Sequence, residues 1–299
     1  MNEFDFTKWQ AWNLIGFFPG PSETESEFLE RIQFCLNLQK HLVESSSTDF
    51  PFEISKHISD HSLLEVFPIT EKLFGIHPDW VLLFFSNYHL APWHGGCAWI
   101  FQLTETTPIA AFLQLRSAFK NKKSYLGLYQ RSELIAHELC HVGRMMYEEP
   151  RFEEFFAYQT STSRWRRFFG PIIQSSKETL FFIAALALII FTDITLITAG
   201  SSPSLEKFSM GLKIFPIFLF LLAFVRLCYR KYQFHQSLAN LQSLYPKEIA
   251  SHLHYRLLDE EIALFSRLTP DEIKKFILSQ KNFRWNFLSH IYGILFTKK

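Results

Sequence analysis

Two apolar stretches, separated by only seven residues, constrain the fold of this 299-residue chain more than any other feature. The first, Thr179–Gly200, contains a single charged residue, and at about 1.5 Å per helical residue it is long enough to cross the ~30 Å hydrocarbon core of a bilayer. The second, Phe208–Tyr229, is uninterrupted only between Ile214 and Val225, but Lys213 and Arg226 at its ends can extend toward the membrane surfaces. The pattern predicts a transmembrane helical hairpin, with a buried hairpin in a soluble core as the alternative.

The charges that flank the hairpin predict its orientation. Basic residues are concentrated before and after the hairpin, whereas the connecting segment has only Lys207, with Lys213 at its edge; the flanking residues are Arg164, Arg166, Arg167, Lys177, Arg226, Arg230 and Lys231. The positive-inside rule then places both soluble parts in the cytoplasm, as in an integral protein of the inner (cytoplasmic) membrane.

Asp193, inside the first span, is expected to pair with Lys213 or to lie at the interface. The acidic start, MNEFDF, lacks the features of a signal peptide.

Composition excludes some classes of partner and site. Thirty basic and 29 acidic residues leave a net charge of +1, which gives no electrostatic basis for binding nucleic acid. The four cysteines, at positions 35, 97, 140 and 228, show no CxxC spacing, so we expect neither a disulfide framework nor a cysteine zinc cluster.

The remaining sequence predicts an α+β fold that is mostly helical. We expect a soluble domain over residues 1–176, the hairpin over 177–230, and a helical soluble C-terminal region over 231–299. Short aromatic runs at 80–87 and 97–105 are typical of strands, and the run at 109–119 fits either a strand or a short helix.

A histidine pair provides the clearest chemical signal. The segment SELIAHELCHVGRMMYEE, residues 132–149, is predicted to be a helix ended by Pro150. His137 and His141 are four residues apart and therefore lie on one helix face, where both can bind the same zinc ion. Glu138 is turned away from the ion but can reach a water molecule beside it. This HExxH spacing predicts two neutral imidazole ligands and a general base.

A catalytic zinc ion needs a third protein ligand, and two glutamates remain candidates. HELCHVGRMMY has no histidine at the position of the metzincin third ligand, which excludes that class. FEEFFAY forms the next predicted helix, and its Glu154-x-x-Ala157 pattern resembles that of the gluzincin metallopeptidases. The resemblance implies a zincin-like fold, Zn2+ held by His137, His141 and Glu154, and Glu138 as the base. A rival third ligand is Glu260, with Ala263 three residues later, beyond the hairpin.

Other residues near the motif have two possible roles each. Tyr158 could stabilise the oxyanion of a tetrahedral intermediate, or it could simply be packed among its aromatic neighbours. Glu153 could orient a ligand histidine or be solvated. Residues 97–105 could form an edge strand that receives the substrate, or an interior strand.

We therefore expect a membrane-anchored zinc metalloprotease that hydrolyses peptide bonds of a peptide or protein substrate. The alternative is a non-catalytic membrane protein with a structural metal site or none. An intramembrane protease is disfavoured because charged residues occur throughout the HExxH segment: Glu133, Arg144, Glu148 and Glu149.

Overall fold

The computed structural model describes residues 3–44, 61–127, 129–172, 176–199 and 203–293, and it is mostly helical with a small sheet. Five helices precede the sheet: α1 (Glu3–Leu14), α2 (Glu25–Leu36), α3 (Leu38–Glu44), α4 (His61–Leu64) and α5 (Phe67–Phe74). The strands are β1 (Leu83–Phe85), β2 (Gly96–Phe101), β3 (Ala110–Leu115), β4 (Ser124–Tyr125) and β5 (Tyr129–Gln130).

Nine helices follow the strands among the described residues. Those before or within the apolar region are α6 (Arg131–Gly143), α7 (Pro150–Ala157), α8 (Arg164–Phe169), α9 (Ser176–Ala199) and α10 (Pro203–Gln242). Those after it are α11 (Lys247–Tyr255), α12 (Asp259–Phe265), α13 (Pro270–Ser279) and α14 (Phe283–Ile291).

The main sheet places β3 in the centre, parallel to β1 and antiparallel to β2. All six residues of β3 are buried, which explains why this segment lacks the polar alternation of a half-exposed strand. The ambiguous run at 109–119 is thus a strand followed by a short 3-10 turn, Ser117–Lys120. Strand β2 pairs with β3 alone among the described residues, so one of its edges faces away from the sheet and toward α6.

Residues after the apolar region complete the core formed by residues before it. Arg144, which follows α6, is almost fully buried and donates from Nη1 to the carbonyls of Tyr255 (2.5 Å) and Leu257 (3.0 Å). In turn, Arg256 donates to Asn13 Oδ1 at 2.8 Å and to the Phe74 carbonyl at 2.7 Å. The helical C-terminal region therefore packs against the residues that precede the apolar region, and the two form one core.

Helices α9 and α10 are both long and apolar enough to cross a membrane, as predicted. The 24 residues of α9 span about 36 Å. Its large side chains are mostly exposed, for example Ile197 at 83% and Phe191 at 66%, which is not the pattern of a core helix. Asp193 pairs with Lys213 Nζ at 3.0 Å, as the sequence suggested, and also accepts a hydrogen bond from Ser209.

The second apolar helix is longer than its predicted span. Helix α10 has 40 residues and a length of about 60 Å, so it continues 13 residues beyond Tyr229, to Gln242. It also begins at Pro203, inside the segment predicted to be a loop; residues 200–202 lie outside the described ranges. Beyond the apolar part, Phe234 of α10 packs against Phe155 and Phe156 of α7. The same helix thus connects the apolar hairpin to the core around the histidine pair.

Candidate metal centre

Helix α6 presents the histidine pair, and it ends earlier than the sequence predicted. It stops at Gly143, where a Cβ atom would lie 2.3 Å from the Tyr255 hydroxyl. Pro150 does not end α6 but occupies the first turn of α7, where its missing N–H costs no hydrogen bond. The six intervening residues reverse the chain, so that α7 packs back against α6.

The reversal brings together the predicted ligand set. The ligand atoms of His137, His141 and Glu154 all lie within 4.8 Å of one another. Glu154 is 3.7 Å from His137 Nε2 through one carboxylate oxygen, and 3.6 Å from His141 Nε2 through the other. Tetrahedral zinc with bonds of about 2.0–2.1 Å requires ligand atoms roughly 3.3–3.4 Å apart. The two Glu154 distances thus exceed this spacing by a few tenths of an ångström, and the three side chains together could hold one metal ion.

Glu153 lies outside this set and holds one of the ligands. Its Oε1 is 2.8 Å from His141 Nδ1, which leaves Nε2 of the same ring directed at Glu154. A carboxylate on the second ring nitrogen is the usual way in which a ligand histidine is oriented. Of the two roles considered for Glu153, the structure favours the orienting one.

Burial and neighbouring charges set the ionisation of the two histidines. Burial, helped by the neighbouring His141, lowers the pKa of His137 to about 3 and so favours the neutral imidazole that binds a metal. Burial also opposes the charged form of His141, but its hydrogen bond to Glu153 and the three surrounding carboxylates raise its pKa to about 10. Three carboxylates, those of Glu138, Glu153 and Glu154, thus surround His141, and their negative charge also suits a bound cation.

Glu138 faces the open side of the site. It is almost completely buried, and burial raises its pKa to about 7. Its Oε2 accepts a 2.8 Å hydrogen bond from the Ala98 N–H on the free edge of β2. A pKa near neutrality suits a group that must accept and then return a proton.

A pocket of about 560 Å3 opens beside His137 and Glu138. Tyr158 lines it, with its ring 4.9 Å from the His137 ring in an edge-on arrangement. Burial raises the pKa of Tyr158, so its hydroxyl remains a donor at neutral pH. Gly170 lies against the same ring, where a Cβ atom would meet it at 2.4 Å, so only glycine fits here.

Three other residues that carry possible ligand atoms do not belong to the set that the described residues form. Glu260 is exposed on the first turn of α12, and across the described residues it joins no group of three potential ligands. Cys140, which lies between the two histidines on α6, is fully buried. His94, in the turn before β2, lines the pocket but is not part of the ligand set.

The sequence alone does not indicate that Asp259 holds the N-terminus of α7 in place. Asp259 accepts hydrogen bonds from the backbone N–H groups of Arg151 (2.7 Å) and Phe152 (3.3 Å), at the N-terminus of α7. It thus acts as an N-cap supplied from more than 100 residues away, and it lies 3.8 Å from the guanidinium of the buried Arg144. No local spacing could have indicated this contact, because it joins a residue after the hairpin to a helix that precedes it.

We predict that Asp259→Ala lowers the free energy of unfolding by about 2 kcal/mol or more. It removes a helix cap, typically worth about 1 kcal/mol, and leaves Arg144 without its nearest countercharge. Denaturant unfolding in detergent measures the change. Asp259→Asn, which can still cap α7, should cost less; equal stability of the parent and Asp259→Ala would contradict the assignment.

We further predict that Glu153→Ala weakens zinc binding by about 10- to 100-fold without abolishing it, since the ligands remain but the His141 ring is no longer held. Competition with a fluorescent chelator gives the affinity. Glu148→Ala, an exposed residue on the same connection, is the control. An unchanged affinity in Glu153→Ala would assign Glu153 no role in orienting the ligand.

Comparison with known proteins provides no further identification, since the chain matches no protein-family model, no curated protein and no solved structure.

Proposed function

We propose that this protein is a zinc metallopeptidase of the gluzincin type, anchored in a membrane by α9 and α10. The observation that supports the proposal most strongly is the meeting of His137, His141 and Glu154, with Glu138 beside them at the mouth of a pocket. Three protein ligands leave one position of a tetrahedral zinc ion open, as in catalytic rather than structural sites.

A zinc ion bound there would acidify a water molecule and polarise the peptide carbonyl. Glu138 would take the proton of that water and deliver it to the departing amine. Tyr158 lines the same pocket, and its hydroxyl would donate a hydrogen bond to the developing oxyanion. Glu153 would keep the His141 ring in place throughout.

The edge of β2 would bind the substrate backbone. In its pairing with β3, alternate residues direct their backbone groups away from the sheet, and Ala98 is one of these because its N–H reaches Glu138. Gly96 and Ile100 occupy the equivalent positions. An extended peptide could therefore add to this edge as a further strand. An edge strand beside the HExxH helix is also what supports a zincin-like arrangement for the soluble part.

Orientation in the membrane is part of the proposal. The basic residues on both sides of the hairpin favour a cytoplasmic location for the soluble parts, in the inner membrane. Both chain segments that leave the hairpin enter the same core, so they lie on the same side of the membrane whichever side that is.

The test is zinc-dependent cleavage of a random peptide mixture by the full chain in detergent, with products identified by mass spectrometry. Cleavage should disappear when a chelator removes the metal and should return when zinc is added. Cleavage that persists in metal-free protein, or no cleavage by the protein with one zinc per chain, would overturn the proposal.

A further inference from the structure

The wall of the pocket opposite the histidine pair comes from the helix that leads into the membrane hairpin. Trp165, Arg166 and Phe169 of α8 line the pocket, as does Gly170 immediately after it. Arg166 Nη2 lies 2.6 Å from Glu133 Oε2 of α6, which fixes α8 across the pocket mouth. The surface that would meet a substrate is therefore formed partly by the juxtamembrane segment.

Contacts with α10 fix the position of this wall relative to the apolar region. Arg226 ends the apolar part of α10 and forms a bidentate ion pair with Glu178 of α9, with contacts of 2.5 and 2.9 Å. The same guanidinium donates to the Ile172 carbonyl at 3.1 Å. Since Ile172 is only two residues after Gly170, the pocket wall ends within about 7 Å of the residue that Arg226 contacts.

Ring contacts strengthen the same attachment. Phe169 packs on Phe224 of α10, with ring centroids 6.4 Å apart, and Lys231 Nζ lies 3.8 Å from the centroid of the Phe168 ring. Helix α8 is thus packed against α10 near the end of its apolar part, so the two helices are joined by side-chain contacts as well as by the chain between them.

The outer face of α8 has the composition of a membrane surface. Trp165 is 75% exposed, and its neighbours Arg164 and Arg167 are also exposed. Tryptophan is enriched at the level of lipid headgroups, and arginine is attracted to anionic lipid there. The face that borders the pocket mouth is therefore suited to lie on the bilayer.

We propose that the substrates are membrane proteins, cleaved in the extended segments that lie within about ten residues of a transmembrane helix. This inference rests on the proposed peptidase function. A segment emerging from the bilayer next to Arg226 would enter the pocket along α8 and reach Glu138 while its helix remains in lipid. Anchoring both molecules in one membrane would raise the local substrate concentration to roughly millimolar, without any sequence-specific contact.

The experiment uses the full chain, loaded with zinc, in liposomes. The substrates are a library in which random 30-residue tails follow one transmembrane helix, and the same tails without a helix. Mass spectrometry records the distance of each cut from the helix end, and the Glu138→Gln variant reports background cleavage. We expect cuts per bond to be at least about tenfold more frequent within ten residues of the helix than beyond twenty, and anchored tails to be cut faster than free ones.

Two outcomes would overturn the inference and are distinguishable. Equal cutting of free and anchored tails, at all distances, would overturn the substrate class but leave the peptidase intact. No cutting of either form by zinc-loaded protein would overturn the proposed function itself.

Discussion

Glu138→Gln should lower kcat by at least about 100-fold while leaving the zinc content unchanged, because the substitution removes a general base but no ligand. The glutamine oxygen can still accept the hydrogen bond from the Ala98 N–H, so the fold around β2 should be retained. Rates come from the cleavage assay in detergent, and zinc content from atomic emission on the same samples.

The control for this variant is Glu148→Gln, an exposed glutamate outside both α6 and α7. It should cleave at the parental rate. A Glu138→Gln protein with normal turnover would exclude the general-base role. If the metal is structural, as in the alternative interpretation of the sequence, Glu138→Gln should leave every property of the protein unchanged.

Glu154→Ala should weaken zinc binding by more than about 100-fold, beyond the effect of losing an orienting residue such as Glu153. The carboxylate that faces both imidazoles disappears, and two histidines alone make an incomplete site. Since the Glu154 side chain is 27% exposed, its removal should not unfold α7. Chelator competition measures the affinity, and circular dichroism checks the helix content.

Glu260→Ala provides the matched comparison, because Glu260 was the rival third ligand in the sequence. It lies exposed on α12 and should bind zinc as the parent does. Normal zinc affinity in Glu154→Ala, together with loss of zinc binding in Glu260→Ala, would make Glu260 the third ligand instead of Glu154.

Features that depend on local spacing could be predicted from the sequence. The i and i+4 positions of His137 and His141, the two apolar helices and the Asp193–Lys213 pair all follow from helix periodicity or residue type, and the structure contains each of them. The zincin-like fold and the peptidase activity stay predictions.

Features that depend on contacts between residues before the hairpin and residues after it could not be predicted from the sequence. Helix α6 ends at Gly143 and not at Pro150, and position 143 requires glycine because the Tyr255 hydroxyl, 112 positions later, occupies the space of a side chain. Asp259 caps α7 from the far side of the hairpin. Helix α10 continues to Gln242, beyond the apolar stretch that defined the predicted span, and the packing of Phe234 against Phe156 of α7 stabilises this more polar part.

If His137, His141 and Glu154 hold one zinc ion, as we propose, the zinc content of the purified, detergent-solubilised chain beside that of His137→Ala will show it. We expect about one zinc per chain in the parent and almost none in the variant. A parent protein that holds no zinc, even after zinc is added and the excess removed, would contradict the claim.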